Sequence, residues 1–396
     1  MNKISKTTLG DLIEFQRGYD LPKSDFKVGN IPVISSNGIL GYHNQAKVKG
    51  PGITIGRSGT VGLPHFINED FFPHNTALFI KDFKGNFPKY IFYLLKTLSL
   101  NNRGSGSGVP TMNRNHLHPL KVSAHLDFST QQKIASVLTA LDFKIELNNR
   151  INTELEAMAK TLYDYWFVQF DFPDKNGKPY KTSGGKMVWN EDLKREIPEG
   201  WEDGILDSVL SELTKGHTTE YVEKSNLINL NQKVNKGFSL ERQYFKYLDE
   251  SIEVPKQKYA SEKDILINSL GQGTLGRVHF FCEKAKNIVV DQHLFILRIN
   301  EKKVTATYLY LLLTSKAYQI QIDRQITGST GMQMLNASNL KEIDIIIPKL
   351  EVMQQFEDNV YPFFEMVVVN EIEKQKLTEL RDWLLPMLMN GQVKVN

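Results

Sequence analysis

Between Gln131 and Phe170 the apolar positions recur in alternating steps of four and three. They run Ile134, Leu138, Leu141, Ile145, then the polar pair Asn148 and Asn152, then Leu155, Ala159, Leu162 and Trp166. That spacing is the seam of a coiled coil. A second run, from Gln354 to Met389, keeps the same steps through Phe356, Val360, Phe363, Val367, Asn370, Lys374, Leu377, Arg381, Leu384 and Leu388. The seams match position for position, including the break at Asn148 and Asn370, and a buried polar seam residue fixes register at some cost in stability. The pattern predicts two long helices, one the duplicate of the other, paired as an antiparallel coiled coil. Two amphipathic helices on separate cores are the alternative, which the matched asparagines disfavour. Pro362 lacks a backbone donor, so the second helix should kink there or begin near Phe363, and Pro386 should bend its last turns.

The stretches before each helix also repeat. Leu9 with Arg17-Gly18 is echoed by Leu206 with Lys215-Gly216, and Ser58-Gly59-Thr60-Val61-Gly62 with His65-Phe66 by Gln272-Gly273-Thr274-Leu275-Gly276 with His279-Phe280. Tyr90–Leu95 returns as Tyr308–Leu313, and Gly108-Val109-Pro110-Thr111-Met112-Asn113 as Gly331-Met332-Gln333-Met334-Leu335-Asn336. Four matches in one order mean a duplicated half. Short β-rich runs at 53–55, 77–80, 264–267 and 294–299, set between Gly, Asn and Ser turns, predict mixed α/β lobes in an α+β chain. The expected divisions are a lobe at 1–126, a helix at 127–170, an extended Gly- and Pro-bearing linker at 171–200, a lobe at 201–348 and a helix at 349–396.

At 396 residues, 41% hydrophobic and 23% charged, the chain is a globular protein of more than one core. No apolar run reaches the roughly 20 residues that span a bilayer, and MNKISKTTLGDL has no signal-peptide core, so no membrane is expected and the location should be cytoplasmic. One cysteine, Cys282, leaves no disulfide framework or cysteine-rich zinc site. The net charge of +3 is unevenly spread: residues 1–125 hold 15 Lys and Arg against 7 Asp and Glu, while residues 201–348 hold 18 of each. The first lobe favours a polyanion; the second is neutral.

Catalytic motifs are weak. Gly271-Gln272-Gly273-Thr274-Leu275-Gly276 satisfies the dinucleotide fingerprint, but β-like Arg277–Phe281 follows where a helix must aim amides at the pyrophosphate. A glycine-bearing turn is expected instead. Pro173-Asp174 with Asp192-Leu193-Lys194 superficially resembles a metal-dependent nuclease motif, yet these residues lie in the linker rather than on converging strands. The nine histidines are scattered and read as structural. An enzyme that processes DNA with a metal or a nucleotide, or a protein–protein scaffold, is the alternative to a binding protein.

Loops rich in Arg, Asn, Gln and Ser carry the side chains that pair with base edges and phosphates. In the first lobe the candidates are Ser36, Asn37, Tyr42, Arg57, Ser58, Asn102, Arg103, Ser105, Ser107 and Arg114. In the second they are Lys215, Asn229, Asn231, Gln272, Arg277, Arg324, Thr327, Ser329 and Thr330.

The sequence resembles the specificity subunits of type I restriction-modification systems. The likeness lies in Gln131-Gln132-Lys133-Ile134-Ala135, Leu141–Asn148, Leu155–Ala159, Trp166-Phe167-Val168, Pro179-Tyr180, Ser183–Trp189, Ile197–Trp201 and Leu384–Gly391. It implies two target-recognition lobes, each reading half of a bipartite double-stranded DNA site, with the helices as spacer. It also implies two methyltransferase subunits as partners, to which two restriction/translocase subunits can add. No cofactor is implied in this chain; S-adenosylmethionine, ATP and Mg²⁺ would sit on those partners. A seam of about 33 residues is roughly 50 Å long, near the length of about 15 base pairs.

Overall fold

The computed structural model describes residues 4–103, 111–218, 220–328 and 333–395. The chain forms two compact units, Met1–Ile145 with Lys376–Asn396, and Glu146–Gln375. Both long helices, α1 (Phe128–Tyr163) and α2 (Leu350–Met389), contribute a segment to each unit. Among the described residues no helix is long and apolar enough to cross a membrane.

The main sheets of the two lobes repeat strand for strand. In the first unit an antiparallel sheet runs in the order Glu14–Arg17, Ala77–Asp82, Gly52–Gly56, Pro64–Ile67; in the second the order is Leu210–Lys215, Leu294–Ile299, Asp264–Asn268, Val278–Phe281. Gly52–Gly56 and Asp264–Asn268 are buried along their whole length, which is why neither alternates apolar with polar. A smaller sheet beside each contains one parallel pair, Val33 with Phe72 in the first and Ile228 with Ile288 in the second. Ile4–Thr8 pairs with Lys121–His125, and Glu202–Ile205 with Asp344–Ile347. One apolar helix fills each core, Pro88–Thr97 or Ala306–Thr314.

The helices join the lobes through specific polar latches. Gln131 is fully buried and its amide accepts from Phe87 N–H at 2.7 Å while donating to the His125 carbonyl at 2.7 Å. Asp127 starts α1 by accepting from the Thr130 backbone N–H at 2.8 Å. The end of α1 winds into a π-helical turn, Asp164–Val168, that drives Phe167 to 4.6 Å from the Tyr308 ring and 4.9 Å from Phe356.

The helices pair antiparallel within each unit. In the second, Asn148 Nδ2 donates to Glu373 Oε2 at 2.8 Å and to the Asn370 carbonyl at 3.4 Å, Asn370 Nδ2 donates to Asn152 Oδ1 at 2.8 Å, and Trp166 lies against Phe356. In the first, Arg381 donates to Asp142 Oδ1 at 2.9 Å, and the His125 ring, on the strand preceding α1, lies against the Leu388 carbonyl. Leu138, Asn148, Leu155, Val360 and Val367 are buried, whereas Leu141, Ile145, Leu162, Phe363, Asn370, Leu377 and Leu384 are half-buried.

Three expectations are corrected. Helix α2 begins at Leu350 rather than near Phe363 and is helical through Pro362 and Pro386; Pro362 is exposed while Val360, Phe364 and Val367 hold the core face. Phe364 rather than Phe363 is the buried residue, since the burial steps Met353, Phe356, Val360, Phe364, Val367, Glu371 follow the 3.6-residue turn more closely than a heptad. Residues 171–200 are not an extended tether: they fold into a hairpin, Met187–Asn190 with Arg195–Pro198, and pack on the core. There Phe172 stacks between Tyr180 and Trp201, and Asp171 accepts from Thr182 N–H and Oγ1.

Candidate nucleic-acid interface

The strand carrying Arg17 ends in a forced close approach. A Cβ on Gly18 would sit 2.1 Å from the His74 carbonyl oxygen, so only glycine fits. Gly18 N–H donates to Ala77 O at 3.0 Å and Tyr19 N–H to Pro73 O at 2.8 Å, which fixes the segment 74–76 beside Arg17. Arg57 N–H donates to Thr76 O at 2.8 Å, and Met112 N–H to Arg57 O at 2.8 Å, which brings in the start of the short helix Arg114–Leu117. The result is a polar cleft of about 610 Å³ lined by Arg17, Arg57 and Arg114 with Gln16, Tyr19 and Asn113. Among the described residues Arg17 is paired only loosely, 3.6 Å from Asp20, and Arg57 makes one long side-chain bond, to the Asn75 carbonyl at 3.5 Å. Three guanidinium groups whose donors are largely uncommitted among the described residues suit phosphate oxygens or guanine edges.

The second lobe builds the same frame. A Cβ on Gly216 would meet the Val290 carbonyl oxygen at 2.2 Å; Gly216 N–H donates to Leu294 O at 3.0 Å and His217 N–H to Val290 O at 2.7 Å. Ser269 N–H donates to His293 O and Leu335 N–H to Ser269 O. Arg17, Thr76, Arg57 and Arg114 thus correspond to Lys215, His293, Ser269 and Ala337. The turn is two residues longer here, as Gly62 N–H closes on Gly56 O but Gly276 N–H on Asn268 O. That insertion is why a match read from the glycine side sets Gln272, rather than Leu270, opposite Ser58.

The remaining candidates divide by burial. Asn37 is exposed in the turn before the strand Gly38–His43 and Tyr42 is exposed on that strand, and Ser58 is half-buried where it bridges Thr111. Ser36 is buried, its N–H donating to Thr76 Oγ1 and its carbonyl facing His65 Nε2, so it shapes the loop. Asn102 and Arg103 close the turn Leu100–Arg103; Ser105, Ser107, Ser329 and Thr330 lie outside the described residues. Lys215, Gln272, Arg324 and Thr327 are exposed.

Asn229 and Asn231 leave the interface. Asn229 is fully buried in the strand Ile228–Leu230, and Asn231 is spent on the Tyr244 carbonyl and on Lys233 N–H. Arg277 is half-buried, donating to the Asn235 and Gly273 carbonyls. The expected glycine-bearing turn is a turn, joining Asp264–Asn268 to Val278–Phe281. Asp174 accepts from Asn176 and Lys178 N–H in its own loop, and among the described residues no group of His, Cys, Asp and Glu could hold a metal ion. His279 is a core histidine: burial pushes its ring down to about 4, and Nδ1 donates to Gly237 O at 2.7 Å.

A family model described as the type I restriction modification DNA specificity domain matches residues 1–157 and 198–381. The chain belongs to that family. It is a recognition subunit rather than an enzyme. Its sequence is 28% identical to the type I restriction enzyme MjaIX specificity subunit of Methanocaldococcus jannaschii over 320 residues, covering 78% of this chain and 69% of that one. It is 25% identical to the HindI specificity subunit of Haemophilus influenzae over 397 residues, covering 86% and 80%. The solved type I restriction-modification S subunit from M. genitalium shares the fold, with a TM-score of 0.67 at 15% identity over 98% and 96% of the two chains.

Within this specificity subunit, four positions of the duplicated backbone frame escaped sequence reading: Asn75 and Thr76 in the first lobe, Asp291 and His293 in the second. The echo of Arg17-Gly18 in Lys215-Gly216 was the available signal, since the glycine in each lobe abuts the segment that carries them.

Proposed function

We propose that each lobe reads one half of a bipartite duplex site through its glycine-anchored cleft, while the paired helices fix the number of unread base pairs between the halves. The observation that carries this reading is one backbone frame built twice and fitted with different side chains, Arg17, Arg57 and Arg114 against Lys215, Ser269 and Ala337. Two such readers give two half-motifs of unlike sequence. Helix α1, at 36 residues, is about 54 Å long, on the order of 16 base pairs.

The reading includes two methyltransferase subunits docked on the helices, and two restriction/translocase subunits that can add to them. Exposed apolar side chains support docking: Phe143, Leu380 and Trp383 in the first unit, Met158, Met366 and Val369 in the second. S-adenosylmethionine, ATP and Mg²⁺ belong to those partners on this account. The neutral second lobe fits it too, because partners can supply phosphate contacts that this lobe lacks.

The test is selection from a randomised duplex library by the chain assembled with its methyltransferase. Two short motifs at one fixed gap are expected. Enrichment of no split motif, as a protein–protein scaffold would give, contradicts the reading.

A further inference from the structure

Asp291 is 1% exposed, yet it is among the most heavily engaged carboxylates in the second lobe. Oδ2 accepts from Thr218 Oγ1 at 2.8 Å and from Tyr221 OH at 3.1 Å, and Oδ1 accepts from His293 N–H at 2.9 Å. The Nδ1 atom of His293 lies 2.6 Å from the same Oδ1. Thr218 is held in turn, accepting from Gln292 N–H at 3.2 Å. At the equivalent place in the first lobe His74 occupies the position of Asp291, and its Nδ1 meets the Thr76 hydroxyl at 3.1 Å. The second lobe therefore sets a buried carboxylate against an imidazole where the first sets a histidine against a threonine hydroxyl.

The grip decides which ring nitrogen carries the proton. A carboxylate can only accept, and two lone pairs 2.6 Å apart repel, so Nδ1 carries hydrogen. A neutral ring then presents a lone pair at Nε2. The His293 side chain is 35% exposed, and among the described residues Nε2 has no hydrogen-bond partner. Its backbone adjoins Ser269 as Thr76 adjoins Arg57, which places it next to the residue that corresponds to Arg57 of the arginine-lined cleft.

We propose that His293 is a specificity-determining residue of the second lobe, its Nε2 accepting a hydrogen bond from the exocyclic amine of an adenine or cytosine in the major groove, with Asp291 as its positioning residue. Those amines are the donors that base pairs offer there. A ring fixed in advance loses little freedom on binding, so one bond can discriminate. The inference rests on the reading of the chain as a pair of half-site readers.

The experiment selects bipartite sites with the assembled complex carrying wild-type chain or His293→Ala, then measures binding to duplexes in which one base of the second half-site lacks its amine, purine for adenine or 2-pyrimidinone for cytosine. His293→Ala should lose about tenfold of its preference at one adenine or cytosine position of the second half-site, with the first half-site unchanged as an internal control for folding. The amine-free duplex should bind wild type about tenfold more weakly and bind His293→Ala no differently from the parent duplex. The analogue measurement on wild type needs no variant to fold. Unchanged preferences in His293→Ala, wild-type indifference to every amine deletion, or a lost preference for guanine or thymine overturns the assignment while leaving the two readers standing. Failure of the wild-type complex to select any split motif overturns the readers and this inference together.

Discussion

Glu371 carries a penalty that pH can lift. It is 3% exposed on α2, with Oε2 accepting from Leu240 N–H at 3.2 Å and Oε1 without a partner among the described residues. Burial pushes its carboxyl up to about 7, against the opposing pull of Lys374 and Arg242, with Glu283 adding to the rise. The folded state therefore keeps a proton that the unfolded chain releases near pH 4.5. The stabilising contribution is fully present below about pH 4.5 and lost as pH rises through about 7. Glu371→Gln should flatten this slope and make the variant more stable than wild type at pH 8, by up to about 3 kcal/mol, in urea unfolding at pH 5 and pH 8. Equal pH dependence in both proteins would contradict it. At this scale the sequence was legible where a residue is both charged and next to a turn, as Arg57 and Arg114 are. Asn229 was not, because a strand residue's inward or outward direction depends on a second sheet that only the fold supplies. His293 was missed because its partner Asp291 matters through burial, which spacing does not reveal.

Among the elements, the two long helices were the most legible, since an apolar seam of this length fits few structures besides a pair of packed helices. Their polar breaks meet as the matched asparagines implied: Asn370 donates to Asn152, and Asn148 to Glu373 and the Asn370 carbonyl. A double-mutant cycle of Asn152→Ala and Asn370→Ala, followed by denaturant unfolding, should show a coupling of about 0.5–1.5 kcal/mol. Strict additivity would mean that this contact does not stabilise the pairing. As a helix start Pro362 misled, because helix on both sides of a proline can be held by tertiary packing, here by Val360, Phe364 and Val367. The segment 171–200 misled through its glycines, which serve turns that let Phe172, Tyr180 and Trp201 stack. Composition reports freedom of the backbone, not whether aromatic side chains use it.

For the molecule as a whole, duplication was written in the order of four short matches, and each match falls at an equivalent strand, turn or helix. What the matches could not place was the two-residue insertion in the second turn, which shifts the counterpart of Arg57 to Ser269. Loop length between fixed strands is set by neither periodicity nor charge, so the facing side chains had to come from the backbone hydrogen bonds. The same independence of frame and side chains makes the lobes exchangeable. The most direct measurement is methylome sequencing of cells carrying the chain with residues 201–348 replaced by the corresponding lobe of a relative. The account predicts that one half of the methylated site changes while the other half and the gap persist; loss of both halves in a complex that still methylates elsewhere, or no change in either, would contradict it.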